Sequence, residues 1–197
     1  MSIVELSNEA VFQLHNGNID SATKILEQAL KLIVADHSGT AAPMSVANRS
    51  CVGYEGQTVE VEAPSPDLVG AINLYHLALL NHAQGIQNGN STGKLSYAKK
   101  LYHHALEFVK KHSQVFGSRR ALLVSLAIAN NLGELFWQEL QDVVEAKKCY
   151  SLVRETLRYM EHLRSFQSER CSEMEYSFFA TNTMIRMGTD MQTATAA

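Results

Sequence analysis

The sequence has little cysteine, little proline and one tryptophan: three, three and one among 197 residues. Cys51, Cys149 and Cys171 lie far apart, are odd in number and form no Cys-x-x-Cys. A disulfide framework is therefore not expected, and free thiols in a reducing compartment are. No apolar run reaches the ~20 residues that a bilayer requires. The stretch Ala121–Ala129 is about half that, so no membrane association is expected. The start, MSIVELSNEA, has early acidic residues and no basic segment, which argues against a secretory signal. A net charge of −3 argues against a general polyanion binder, so no nucleic-acid partner is expected. The predicted location is cytoplasmic, with nuclear as the alternative.

Signatures of catalysis are lacking too. There is no Gly-x-Ser-x-Gly and no His-Glu-x-x-His. Gly85–Lys94 ends in Gly-Lys, but the spacing is wrong for a phosphate-binding loop and Leu95 stands where Ser or Thr is required. No enzyme activity and no cofactor are expected. The eight histidines concentrate locally at His76, His82, His103 and His104. His76 and His82 are six apart, which splays them around a helix, and no cysteine is placed to help. Hydrogen-bonded or exposed histidine is the expectation, and no metal is expected.

Repetition is what the sequence does contain. Three segments share an Ala, a bulky apolar residue four later and a small apolar residue three later: Ala22, Leu26, Ala29; Ala98, Tyr102, Ala105; Ala146, Tyr150, Val153. That spacing is helical. Each skeleton follows another helical stretch, giving six predicted helices in three pairs. Small residues let the paired backbones approach, and bulky neighbours fill the space beside them. Ala10, Ala78 and Gly133 are the expected small partners on the first helices. Gly133 is informative, because an interior glycine costs roughly 1 kcal/mol relative to alanine. Cys149 lies on the apolar face of the third skeleton and reads as a small buried hydrophobe.

The predicted organisation is one domain: a helical hairpin over 1–37, a loop or short-strand insert over 38–64, hairpins over 65–114 and 115–165, a capping segment over 166–188 and a disordered tail over 189–197. All three prolines lie in or beside the insert. Within it, Thr58–Ala63 alternates apolar and polar as a half-exposed strand does. The only other β-leaning stretch, Tyr176–Ile185, is its expected partner. Arg119–Leu140 reads as one uninterrupted helix.

Asn131–Phe136 (NLGELF) resembles the Leu-Gly-x-x-Tyr core of the first helix of tetratricopeptide repeats. The Ala-x3-bulky-x2-small skeleton resembles the second helix, and Asn16–Leu30 is the best match. The repeats here are spaced more widely and less evenly than the family's usual ~34 residues. Asn73–Gly85, Ala98–Phe108 and Leu126–Gln138 also look like a group of tetratricopeptide-like proteins with no assigned activity. The resemblance implies an all-α solenoid of about three hairpins; the two β-leaning stretches add the expectation of a small two-stranded accessory. It also implies a protein or peptide partner held on a concave face. The family's groove positions fall on Ser7 and Val11 in the first pair, Tyr75, Leu79 and His82 in the second, and Asn130, Glu134 and Trp137 in the third. Trp137 reads equally as core against Val143–Tyr150. Asn131 occupies a carboxylate-clamp position, but Val11 and Ala127 stand where a clamp wants polar or basic groups. The alternative role is homo-oligomerisation through an uncapped end, with Tyr176–Ile185 as the candidate cap or contact. Lys24, Lys100 and Lys148 share one register and read as a solvated face, with a basic stripe for an acidic or nucleic-acid partner as the lesser alternative.

Overall fold

A computed structural model describes residues 1–36, 49–54, 57–62, 66–89, 91–111, 119–164 and 173–187. The expectations for the breaks near 38–48 and 112–118, and for the tail 189–197, lie outside the described residues. The described chain is predominantly helical. Its helices are α1 (Ile3–His15), α2 (Ile19–Asp36), α3 (Pro66–Gln87), α4 (Thr92–Lys111), α5 (Arg119–Glu134), α6 (Val143–Arg164) and α7 (Glu173–Met187). Strands β1 (Arg49–Tyr54) and β2 (Gln57–Glu62) form an antiparallel ladder pairing Arg49 with Glu62 and Tyr54 with Gln57. No described helix is long and apolar enough to cross a membrane.

Local chemistry sets the helix ends. Ser2 opens α1 with a reciprocal cap: its hydroxyl accepts from the Glu5 amide at 3.2 Å, and the Glu5 carboxylate accepts from the Ser2 amide at 2.7 Å. The first two hairpins turn on Asn-Gly. Gly17 and Gly89 take φ of +74° and +67°, which glycine adopts without strain. The turn between α5 and α6 has no glycine, and Gln141 adopts φ +53° instead. Asp142 then caps α6 by accepting from the Glu145 amide at 3.1 Å.

The chain divides into two compact units, Met1–Ala127 and Ile128–Ala197, with the boundary inside α5. In the first unit α1 packs on α2, α2 on α3 and α3 on α4, while β1 lies against α1 and α3. Helix α3 therefore has neighbours on several sides, and no residue from Leu68 to Gly85 is exposed. In the second unit α6 packs against α7 and against the turn that follows α5. Ala22, Ala98 and Ala146 are all fully buried, as are Ala10 and Ala78. At Gly133 a Cβ would stand 3.0 Å from the Tyr150 ring and 3.3 Å from Cys149 Cβ. A second close approach had no signal in the skeleton: a Cβ on Gly85 would meet Leu95 Cδ2 at 2.5 Å.

Three expectations are corrected. Tyr176–Ile185 lies within helix α7, and residues 57–62 pair with 49–54 instead. The β-branched and aromatic composition suggested a strand, but the buried residues Phe179 and Thr183 are four apart, a helical spacing. The Thr183 hydroxyl donates to the Phe179 carbonyl at 2.8 Å, which accommodates it within a helix. Arg119–Leu140 is not one uninterrupted α-helix, because Leu135–Glu139 widens into a π-helical turn. The other boundaries shift slightly: α3 continues to Gln87 and α4 starts at Thr92.

Candidate functional site

The groove positions of the first two pairs are mostly closed. Ser7, Val11, Tyr75 and His82 are buried, and Leu79 is half-buried. Tyr75 and His82 pack around the buried Tyr102 ring, each with its centroid 6.1 Å from that ring. Tyr102 Oη lies 3.5 Å from His82 Nδ1, and burial pushes the Tyr102 phenol well above its ordinary pKa. Tyr75 has no exposed surface, so its side chain is core and does not meet a partner. The histidine cluster is likewise divided. His76 and His82 are buried, while His103 and His104 face solvent. Burial, with a smaller contribution from His15, lowers the His76 pKa to about 3. Among the described residues no group of three or more His, Cys, Asp or Glu is placed to hold a metal ion. An open, polar cleft of about 540 Å³ lies where the first two hairpin turns meet, lined by Asn18, Asp20, Gln84, Asn88 and Lys94 among others.

In the second unit the three predicted positions come together. Asn130, Glu134 and Trp137 lie one turn apart along α5 and its π-helical extension, and a single helix, α7, covers all three. Asn182 Nδ2 donates to Asn130 Oδ1 at 3.0 Å. Arg186 grips Glu134 with two bonds, Nε to Oε1 at 3.1 Å and Nη2 to Oε2 at 2.9 Å. Its guanidinium carbon also sits 5.6 Å from the centre of the Trp137 ring. Trp137 is half-buried beneath this cation, neither wholly core nor open groove.

Glu134 is buried, and a buried carboxylate needs partners. Beyond Arg186 it has two. Tyr150 Oη, from α6, donates to Oε1 at 2.7 Å. Gln138 Nε2, one turn along, donates to Oε2. Burial foremost, and the bond to Glu134 next, push the Tyr150 phenol well above its ordinary pKa. The bond to Glu134 raises the Arg186 pKa further. Gly133 makes room for the Tyr150 ring, so the residue beside Glu134 sets the aim of the hydroxyl that holds it.

From its spacing Tyr150 reads as core filling, and Gln138, Asn182 and Arg186 carry no expected role. Asn182 and Arg186 are one helical turn apart, as are Asn130 and Glu134. That match had a sequence signal only if 176–185 was read as a helix. Among the described residues, Asn130 and Glu134 hold an amide and a guanidinium of α7. The chain matches no protein-family model, no curated protein and no solved structure, and its site is read from its own geometry.

Proposed function

We propose that this chain is a non-enzymatic protein-interaction module, of tetratricopeptide-like helical-repeat type, whose recognition surface is the Asn130–Glu134–Trp137 stripe of the second unit. The partner is another protein or peptide in the cytoplasm or nucleus. One observation carries the reading: the stripe already engages a helix, α7, through side chains one turn apart on both sides. The first two pairs contribute scaffold, because only the groove positions of the third, among the described residues, make polar contacts to a docked helix. Proximity labelling in the native cell, comparing the unsubstituted chain with Trp137→Ala, tests this. A partner whose labelling falls at least tenfold in the variant is the expected result. An identical labelled set for both chains overturns it.

A second reading, self-association, is favoured by α7 itself. Met184 and Ile185 are 72% and 63% exposed, an apolar pair in water on a helix already docked by its other side. Phe179 is fully buried and is no contact for a second copy. A dimer at micromolar concentration that dissociates on Met184→Ser/Ile185→Ser supports this reading, and a monomer at that concentration removes it.

A further inference from the structure

Helix α7 docks with polar as well as apolar side chains. An ordinary surface helix buries its apolar stripe and leaves its polar side to water. Here the polar Asn182 and Arg186 face the body of the unit, while Met184 and Ile185 face solvent. Phe179 is its only fully buried large apolar side chain among the described residues. The buried Thr183 hydroxyl is spent on its own helix. Directional polar contacts therefore help to define where α7 sits, together with the buried Phe179.

The receiving side is organised by groups that do not belong to α7. Tyr150 and Gln138 each donate to a different oxygen of Glu134, so the carboxylate is aimed and partly satisfied from α6 and from its own helix. A carboxylate oxygen accepts more than one hydrogen bond, which leaves both Oε1 and Oε2 able to receive the planar fork of a guanidinium. The Trp137 ring supplies a face beneath that fork. One turn back, Asn130 reads an amide. A lysine offers a point charge without the fork and fits this site less well.

We propose that Glu134, Trp137, Gln138 and Tyr150 form a receptor for a helix-borne arginine, and that α7 is its exchangeable occupant in cis. The partner class follows from the chemistry: an amphipathic helix presenting an aromatic residue, an amide three later and an arginine four after that, as Phe179, Asn182 and Arg186 do. Such a helix from another protein competes with α7 for the stripe. The inference rests on the interaction reading above and adds the ligand class and its regulation.

The test uses the full chain and a labelled synthetic peptide of residues 173–187. Fluorescence anisotropy measures binding, and emission of the single tryptophan, Trp137, reports the cation above it. The chain carrying Asn182→Ala and Arg186→Ala is expected to bind the peptide at least tenfold more tightly than the unsubstituted chain, whose own α7 competes. Adding Glu134→Gln to that chain, or placing Gln at the arginine of the peptide, is expected to abolish the gain and the change in Trp137 emission. Equal binding by all chains, binding by none, or tight binding that survives Glu134→Gln overturns the proposal. If the double variant does not fold by circular dichroism, Arg186→Lys replaces it. Intermediate affinity is then expected, and affinity no different from the unsubstituted chain overturns the proposal. A native partner that depends on Trp137 but is indifferent to Arg186 leaves the interaction reading standing and removes this one. Peptide exchange without any Trp137-dependent partner does the reverse.

Discussion

Two clusters of buried polar side chains, one in each unit, differ. Around Glu134 in Ile128–Ala197 they answer one another: Asn130 with Asn182, and Glu134 with Tyr150, Gln138 and Arg186. In Met1–Ala127 two fully buried groups do not. The Ser7 hydroxyl and both amide atoms of Asn73 have no hydrogen-bond partner among the described residues. A satisfied network is directional and fixes a single docking geometry. An unsatisfied buried amide only costs stability, about 1–3 kcal/mol. The same residue types therefore specify a contact in one unit and weaken the other.

The comparison is sharpest at Glu134. Replacing it with Leu strands the Arg186 guanidinium and the Tyr150 hydroxyl. A cost of about 3 kcal/mol is expected, the lower end of the range for breaking a buried ion pair because Arg186 is a quarter exposed. Chemical denaturation read by Trp137 emission measures it. A change under ~0.5 kcal/mol shows that the network contributes nothing.

Close approaches offer a second test. Gly85→Ala in the first unit drives a methyl into Leu95 at 2.5 Å and is expected to cost about 2 kcal/mol. Gly133→Ala meets Tyr150 at 3.0 Å and recovers some helix propensity, so about 1 kcal/mol is expected. Thermal melts rank the pair, and Gly133→Ala as the costlier change contradicts the geometry.

His76 gives the first unit an acid sensitivity. The unfolded chain takes up a proton at the ordinary histidine pKa near 6.5, while burial keeps the folded side chain neutral to about 3. Below 6.5 the unfolded state therefore binds more protons, and stability falls as pH drops through that window. About 2 kcal/mol is expected to be lost between pH 7 and pH 5 from this residue. His76→Leu should remove that part of the slope. An unchanged slope in urea titrations at the two pH values refutes it.

The smallest effect reverses the sign of the first. Asn73→Leu replaces an unanswered buried amide with an apolar side chain of similar size, so a gain of about 1 kcal/mol is expected. A loss of that size by denaturant titration would mean that Asn73 has a partner.

Legibility followed the range of the interaction. The three skeleton alanines and their partners Ala10 and Ala78 were readable because a small residue at helical spacing has few other uses. Both Asn-Gly turns carry a similar local signal, because glycine takes a positive φ without strain. The third turn carries no such signal, since Gln141 is not a residue that favours a positive φ. The π-helical turn at Leu135–Glu139 was equally silent, being a change of one residue in winding that composition does not encode. The strand expectation for Tyr176–Ile185 failed because β propensity is a weak preference, overridden here by burial of Phe179 and Thr183 on one helical face.

The sequence alone determined that this chain makes helices, where most of them pair and which small residues are buried between them. These follow from 3.6-residue periodicity and the steric demands of close backbones, both local in the chain. Tertiary structure alone decided that Glu134 has partners drawn from two other helices and that α7 brings Asn182 and Arg186 to Asn130 and Glu134. Hydrogen bonds between residues 52 apart, such as Asn182 to Asn130 and Arg186 to Glu134, depend on directions in space that no pattern along the chain specifies.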